Sequence, residues 1–464
     1  MSIARELARR IVAMRAEALP AEALAWSKVG LLDTIGVTLA GAREDAPRIV
    51  EEVMVGPAAG PSLIFGGTRR VGCLDAALVN GTAAHALDYD NATNTMFGHA
   101  SATMLPALLA AGEAFGGNGR GLLAAHVAGF ETGARLGRGV NMHHYEKGWH
   151  PTSTLGVFAV AAACAHFLKL TEHQTATALA LATSLAAGVK ANFGTMTKPL
   201  HVGQCARSGL QAALLARKGF TANADAFEHP QGFLNVFNGA GTYDAARILE
   251  GWGEPFDIVT PGACYKQYPC CASTHAAVDA ALDIRAQHGP FDVATIARVE
   301  SRTSAQRLAH TNRAQPQSAL DAKFSVQYCV ARALLDGKVV FADLEGDAYR
   351  EPRIRDLLVR VHAAPFADGA FSGGNYVGAE VKVTLTDGRA FTSTIAKPLG
   401  RTSANPIAPA AMQTKFESCA VRVLPPAQVH AAISAIGRFE EFASICEFTT
   451  LLEPAAPLRA AGLA

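Results

Sequence analysis

Strand-like alternation is confined to one stretch of this 464-residue sequence, and helical segments rich in Ala and Leu lie on both sides of it. The alternation covers Ile296–Arg302 and the pair Glu380–Leu385 and Phe391–Ile395, which the tight turn Asp387-Gly388 joins. A chain of this length exceeds one simple core, so we expect two domains. The sequence therefore predicts a mainly α protein, with a large all-helical bundle domain and a smaller inserted α+β domain.

The helical prediction rests on apolar periodicity, with Gly, Pro, Ser or Thr at the ends of most segments. From the start of the chain to about Leu249 the pattern is helical, and examples are Ala21–Ala40, Leu74–Leu87, Ser101–Phe115, Arg120–Arg135, Thr152–Leu168, Glu172–Ala187, Pro199–Lys218 and Asn223–Phe227. In the α+β stretch that begins near Pro261, and after it, the predicted helices are Thr274–Gln287, Lys323–Leu335, Arg353–Val361, Pro409–Val423 and Pro426–Ile436. The predicted domains are residues 1–266 with 400–464 for the helical bundle and residues 267–399 for the insertion.

Composition argues against several kinds of partner. Half of the residues are hydrophobic and 17% are charged, as in a well-packed globular protein. The formal net charge of +1 gives no bulk attraction to nucleic acid or to an anionic membrane, so any attraction for anions must be local. We expect no membrane span and no signal peptide. The nine cysteines lack zinc-type or redox-type spacing, so reduced thiols in the cytoplasm are expected.

Four short segments each place a titratable residue at the predicted start of a helix. These residues are His99, His150, Lys198 with His201 close behind it, and His275. A helix start carries free amide donors and about half a positive charge, so it attracts anions. Together the four segments predict a site for a small anionic substrate. The same field disfavours a protonated amine, so Lys198 is expected to act as a base.

Each of these residues also has an ordinary structural interpretation. A lone His at a helix start is often a cap, Lys198 alone would be a solvated terminal charge, and Tyr328 in a helical pattern would be a core residue. Asp88 suits a loop or a cap. His143-His144 has no third ligand at useful spacing, so we predict no metal site. The repetition of one pattern in four segments favours a functional site.

The same segments resemble the MmgE/PrpD family. The matching stretches are Val79–Asp88, Lys198–Gly203, Tyr268–Cys271 with Thr274-His275, Ala322–Ser325 with Gln327-Tyr328, and Leu334–Gly337. The resemblance implies a helical domain, an inserted α+β lid with chorismate-mutase-like topology, a homodimer, and an active site between the domains without metal or organic cofactor. By position, the residues that match the lining of the family's site are Asp88, His99, His150, Lys198, His275 and Tyr328.

The family includes 2-methylcitrate dehydratase, cis-aconitate decarboxylase and iminodisuccinate epimerase, so the resemblance implies proton chemistry beside a carboxylate. Many members read His-Pro-Ser where this sequence has His99-Ala100-Ser101, and Asn91 stands where dehydratase-like members often keep an acid. These departures put methylcitrate dehydration in doubt. Within the family the sequence is most similar to the iminodisuccinate epimerases.

The resulting hypothesis is a cofactor-independent epimerase that removes a proton from one face of a carbon and returns one to the other face. Lys198 would serve one face, and Tyr145 near His150 would serve the other. The residues expected to bind substrate and stabilise its enolate-like intermediate are Asp88, His99, His201, His275 and Tyr328. The alternatives are a hydro-lyase or decarboxylase of a citrate-like tricarboxylic acid, and a non-catalytic helical scaffold.

Overall fold

The structure is a computed structural model that describes residues 2–367 and 377–454. The chain divides into two compact units, Met1–Tyr265 with Ala408–Ala464, and Lys266–Ile407. In sequence, the second unit therefore interrupts the first. The described residues are mainly helical, as predicted. Parts of the predicted domains, residues 368–376 and 455–464, lie outside the described residues.

The first unit begins with twelve α-helices and two pairs of two-residue strands among its described residues. These helices are α1 Ile3–Ala13, α2 Ala21–Gly41, α3 Asp45–Met54, α4 Cys73–Ala86, α5 Ala100–Phe115, α6 Gly119–Val140, α7 His143–Glu146, α8 Pro151–Thr154, α9 Gly156–Phe167, α10 Glu172–Ala182, α11 Thr197–Arg217 and α12 Ala245–Leu249. The strand pairs are antiparallel: β1 Ser62–Leu63 with β2 Arg70–Val71, and β3 Ala92–Thr93 with β4 Ala263–Cys264.

The second unit combines helices with one four-stranded sheet. Its helices are α13 His275–His288, α14 Ala305–Thr311, α15 Ala319–Lys323, α16 Val326–Asp336 and α17 Pro352–Leu358. Its strands, β5 Ile296–Thr303, β6 Val361–Pro365, β7 Ala379–Leu385 and β8 Ala390–Ile395, lie in the order β6-β5-β7-β8. Strand β5 pairs parallel with β6 and antiparallel with β7, and β7 pairs antiparallel with β8. The predicted strand and hairpin are thus confirmed.

The chain then returns to the first unit with α18 Pro409–Ala420, α19 Pro426–Gly437 and α20 Ile445–Thr449. Helix α18 packs against α2, which also packs against α4 and α5. Among the described residues, α2 is the helix long and apolar enough to cross a membrane by composition, and 67% of its most apolar window is buried within the structure. Its packing is that of a core helix, since neighbouring helices cover its apolar side chains.

One predicted helix is wrong, and two others are present but differ from the structure in their bounds. Asn223–Phe227 forms turns, because the Asn223 side chain accepts a hydrogen bond from the Asp225 amide and competes with helical bonding. The predicted helix Thr152–Leu168 is divided at Leu155, where α8 gives way to α9. Val361, predicted to end a helix, is the first residue of β6, where its side chain is buried.

Two glycines allow α4 and α11 to pack closely. A Cβ atom on Gly81 would lie 2.8 Å from the Gly203 Cα atom, and one on Gly203 would lie 2.2 Å from the Leu78 carbonyl oxygen. A larger side chain at either position would push the two helices apart. Asp88 follows the end of α4, and Lys198 lies in the first turn of α11. This contact therefore brings the two residues to the same end of the helix pair.

Candidate active site

A buried carboxylate, Asp90, lies between two imidazoles at the end of α4. Its Oδ1 atom is 2.8 Å from His85 Nδ1, and its Oδ2 atom is 2.9 Å from His99 Nδ1. His85 lies in the last turn of α4, whereas His99 directly precedes α5. The side chains of His85 and Asp90 are fully buried. Asp90 therefore fixes the His85 ring through a hydrogen bond and also lies in contact with the His99 ring.

Asp90 and His85 differ in charge. Burial opposes ionisation of Asp90, but the adjacent His85 and His99 rings outweigh it and hold the pKa of the Asp90 carboxyl below its usual range. Burial is the main reason that the pKa of His85 falls to about 4, and the Lys198 charge acts in the same direction. At neutral pH the pair is therefore an ionised Asp90 beside a neutral His85.

Asp88 connects Lys198 to His99. Its carboxylate oxygens lie 3.1 Å from Lys198 Nζ and 3.8 Å from His99 Nε2. Asp88 has a φ of +50°, a left-handed conformation that Asp tolerates better than most residues. The Asp88 side chain is 37% exposed, whereas that of Lys198 is only 15% exposed. The ammonium group is thus largely enclosed and has one accessible carboxylate as its counter-ion.

A second imidazole pair, His150 and His201, lies within electrostatic reach of Lys198. The two Nδ1 atoms are 3.1 Å apart, so one ring donates an N–H to the other. His150 is buried before Pro151, and its ring centroid lies 6.3 Å from that of His85. Burial lowers the pKa of His150 and of His201, and the charge on Lys198 lowers both further. Both rings are therefore neutral at neutral pH.

The loop before α5 touches α8 through a glycine. A Cβ atom on Gly98 would lie 2.6 Å from the Thr152 backbone nitrogen, so this approach requires glycine. The next amide, that of His99, donates to Thr152 Oγ1 at 3.2 Å. The close contact thus fixes His99 relative to the helix that His150 precedes.

Phe193 supplies the aromatic side of this group of residues. Its ring centroid lies 4.8 Å from that of His150, in an edge-on arrangement, and 5.1 Å from Lys198 Nζ. Phe193 directly follows a short 3₁₀ turn, Lys190–Asn192. A cation near an aromatic face keeps part of its stabilisation when water is excluded.

Taken together, these contacts show that the first unit gathers seven titratable residues, termed here the site cluster: His85, Asp88, Asp90, His99, His150, Lys198 and His201.

Tyr145 packs against Lys190. The Lys190 Nζ atom lies 3.5 Å from the Tyr145 ring centroid, and the Phe97 ring centroid lies 6.0 Å from it. Burial raises the pKa of the Tyr145 hydroxyl, so that group is protonated at neutral pH. Burial also lowers the pKa of Lys190, which Glu146 partly opposes. The role of Tyr145 opposite Lys198 stays a prediction.

His275, another predicted site residue, begins α13 in the second unit, so its helix-start position is confirmed. Its ring is buried and packs edge-on against Tyr268, with centroids 5.1 Å apart. Its Nε2 atom lies 3.3 Å from the Cys270 carbonyl oxygen. A contribution of His275 to substrate binding stays a prediction.

Tyr328 lies in the core of the second unit. Its side chain is fully buried in α16, and its hydroxyl donates to the Asp343 carbonyl oxygen. The same hydroxyl accepts a hydrogen bond from Arg332 Nε at 3.0 Å. Burial is the main reason that the pKa of Tyr328 rises to about 12. These contacts give Tyr328 a structural function, and its predicted contact with substrate stays a prediction.

Two members of the site cluster, His85 and Asp90, were not among the predicted site residues. Asp90 has the sequence setting of an ordinary loop residue, and His85 that of a residue in the last turn of an Ala-rich helix. The available signal is the density of titratable groups between His85 and Asp90, directly before the His99 segment. That density does not show that the Asp90 carboxylate is buried between two imidazoles.

Four members of the site cluster also have the composition of a metal site. Ligand atoms of His85, Asp88, Asp90 and His99 all lie within 4.8 Å of one another. In this chain Asp90 already contacts both imidazoles, and Asp88 contacts the Lys198 ammonium. A metal ion at Asp88 would be repelled by that ammonium. The arrangement therefore favours a carboxylate–imidazole network over a metal centre.

The fold and the site cluster define a mainly helical protein whose first unit gathers histidines, acids and a lysine from the ends of several helices. Family models assign the chain more narrowly. The MmgE/PrpD N-terminal domain matches residues 5–246, and the MmgE/PrpD C-terminal domain matches residues 268–440. The chain belongs to the MmgE/PrpD family, as its motifs predicted.

Several similar proteins carry one activity in their names. Cis-aconitate decarboxylase of Homo sapiens is 30% identical over 391 residues, which cover 82% of this chain and 80% of the relative. Cis-aconitate decarboxylase of Aspergillus terreus is 26% identical over 404 residues, 82% of each chain. The cis-aconitate decarboxylase-like protein oryM of Aspergillus oryzae is 26% identical over 479 residues, 97% of each chain. These relatives favour the lyase alternative over the expected iminodisuccinate epimerase.

Proposed function

We propose that this chain is a cofactor-independent lyase that decarboxylates a citrate-like tricarboxylic acid, with cis-aconitate as the first candidate. The observation that carries the proposal is the ion pair of Lys198 with the accessible Asp88, surrounded by imidazoles. It occurs in a chain whose relative of 30% identity is a cis-aconitate decarboxylase. Decarboxylation thus replaces epimerisation as the proposed reaction. Both reactions would use the same residues and pass through a carbanion.

Substrate binding starts from the exchange of one carboxylate for another. A substrate carboxylate can take the place of Asp88 beside Lys198, because Asp88 is the exposed partner of the ion pair. Of the neutral pair His150 and His201, the ring that accepts the shared hydrogen bond keeps its N–H group on Nε2 and can donate it to another carboxylate. Such a neutral donor binds the tricarboxylate through a hydrogen bond and leaves Lys198 as the main charge that selects the reacting end.

Carbon dioxide loss leaves an electron pair that needs stabilisation. In cis-aconitate, cleavage of the bond to the methylene carboxylate moves that pair into a new double bond. The original double bond then shifts its electrons onto the carbon beside another carboxylate. We assign Lys198 to stabilise this enolate-like charge and to deliver the proton that completes the product, after which solvent reprotonates the amine. Lys198 thus changes from the base of the epimerase hypothesis to the acid of a decarboxylase.

Other parts of the proposal rest on the family resemblance. We infer a chorismate-mutase-like topology for the second unit, which its mixed four-stranded sheet supports. We also keep a homodimer, a cytoplasmic location and substrate contacts from His275 and Tyr328 as proposals. Size measurement in solution tests the dimer independently of activity.

A substrate panel tests the function directly. The full-length protein is incubated with cis-aconitate, citrate, 2-methylcitrate and iminodisuccinate, and products are identified by mass and chirality. We expect release of carbon dioxide from cis-aconitate and, in deuterated water, one deuterium in the product at the protonated carbon. Water loss from 2-methylcitrate, or inversion of iminodisuccinate, without any decarboxylation would contradict the proposal.

A further inference from the structure

A buried ion pair outside the site cluster supports the loop that carries Asp88 and Asp90. The Lys415 Nζ atom of α18 lies 2.6 Å from Asp33 Oδ1 of α2. The two side chains are only 4% and 0% exposed. Removing two charges from water is costly, so a buried pair is stable only when its remaining polar atoms are also bonded. The other hydrogen-bond partners of Asp33 and Lys415 therefore show which part of the chain this ion pair stabilises.

Both members of the pair bind the loop. Asp33 Oδ2 accepts hydrogen bonds from the Asn91 backbone amide and from Asn91 Nδ2, each at 2.9 Å. The Lys415 ammonium donates to the Tyr89 carbonyl oxygen at 2.8 Å and lies 3.8 Å from the Tyr89 ring centroid. The ion pair thus forms hydrogen bonds with the residues on both sides of Asp90.

The contacts of the loop alternate along the chain. Asp88 contacts Lys198, and Asp90 contacts His85 and His99. The intervening Tyr89 and the following Asn91 contact the ion pair instead. Tyr89 and Asn91, which the ion pair contacts, are each adjacent in sequence to an acid of the site cluster. A shift of this loop would therefore move both Asp88 and Asp90.

We propose that Asp33 and Lys415 are positioning residues for the reaction, because they fix the loop that carries Asp88, which pairs with Lys198 until substrate replaces it, and Asp90, which contacts His85 and His99. The test of this proposal by enzyme activity rests on the proposed function, whereas its test by hydrogen–deuterium exchange does not. A purely structural pair would change only how much protein folds. A positioning pair also changes the turnover of the molecules that do fold.

The first test compares two lysines that both connect α2 with the return segment. Lys415→Met removes the ammonium that touches the loop. Lys28→Met is the matched control, because Lys28 pairs with Glu440 at 2.8 Å and also donates to the Gly437 carbonyl. For Lys415→Met we expect kcat per folded molecule to fall roughly tenfold or more, with KM changed much less, because displaced acids misalign the reacting groups. Lys28→Met should retain the kcat of the parent.

Hydrogen–deuterium exchange read by mass spectrometry supplies the measurement that needs no substrate. Lys415→Met should exchange faster in the peptide that contains residues 88–91, and Lys28→Met should not. If Lys415→Met does not fold, Asp33→Asn gives the same two readouts, since it keeps the side-chain size and one acceptor. A folded variant with parental kcat and parental exchange at this loop overturns the proposal. If the parent decarboxylates no tricarboxylate, the exchange result alone decides, and the two proposals fail separately.

Discussion

His150 and His201 face each other through their Nδ1 atoms at 3.1 Å. Only one of these atoms can carry the hydrogen between them when both rings are neutral, and burial keeps both rings in that state. If His201 donates, His150 keeps its hydrogen on Nε2 and can donate to substrate. The identity of residue 201 therefore sets what His150 offers, without any change in net charge.

The first prediction concerns this pair. His201→Ala should lower kcat/KM by roughly tenfold or more, because His150 loses the partner that fixes its tautomer. His201→Asn should recover part of the activity, since its amide can still donate to His150 Nδ1. Steady-state kinetics on cis-aconitate measures both, with the exposed His173→Ala as control. Full activity in His201→Ala would show that the pair has no part in turnover.

A second prediction concerns Lys198. Lys198→Ala should abolish decarboxylation, and Lys198→Arg should also be nearly inactive, because a guanidinium keeps the charge but does not release its proton. Lys218→Ala changes an exposed lysine at the other end of the same helix region and should leave activity intact. Carbon dioxide release is the readout. An active Lys198→Arg variant would reduce Lys198 to an electrostatic role.

The close contact between α4 and α11 gives a third prediction. Gly203→Ala should lower the free energy of unfolding by about 1–3 kcal/mol, because its Cβ has no room beside the Leu78 carbonyl oxygen. The folded fraction should also have lower turnover, since the helices set the distance between Asp88 and Lys198. Gly437→Ala is the control, as no atom of the described residues lies within 4 Å of its added Cβ. Denaturant titration that shows equal stability for both variants would contradict this packing argument.

A fourth prediction concerns acid. Burial lowers the pKa of His126 to about 3 and is the main cause that lowers those of His85 and His144 to about 4. The unfolded chain takes up these protons near its ordinary value of about 6.5, before the folded chain does. The free energy of unfolding should therefore be highest above a pH of about 6.5 and fall continuously as the pH drops toward 4. Urea unfolding midpoints across this range measure the slope, and a flat profile would contradict it.

Chelation gives a fifth prediction. Activity should survive prolonged dialysis against EDTA, because the site cluster already pairs its acids with imidazoles and with Lys198. The dialysed protein is assayed on cis-aconitate before and after addition of Zn²⁺ or Mn²⁺. Activity that disappears on chelation and returns with one metal would assign His85, Asp88, Asp90 and His99 as its ligands.

Local features of the fold were predictable, because they depend on residues close in sequence. The Asp387-Gly388 turn identified the β7–β8 hairpin, and Pro151 and Pro199 correctly placed His150 and Lys198 near helix starts. Helix α1 lies in the stretch that was predicted to be helical, although its bounds were not predicted.

The missing parts of the site depend on contacts between distant segments. Residue type alone does not distinguish a solvated loop aspartate from Asp90, which is buried between His85 and His99. Likewise, no local pattern connects Asp33 with Lys415, because α2 and α18 lie near opposite ends of the chain. The approximate position of the site was therefore predictable, but its buried acid and its support were not.

The ion pair of Asp33 with Lys415 also has a consequence for the order in which the protein folds during synthesis. The ribosome makes Asp33, Tyr89 and Asn91 early, but Lys415 emerges only after the whole second unit has been translated. Until then a nascent chain has no ammonium group to neutralise Asp33 or to bind the Tyr89 carbonyl oxygen. The loop that bears Asp88 and Asp90 therefore acquires this support only after the second unit has been synthesised.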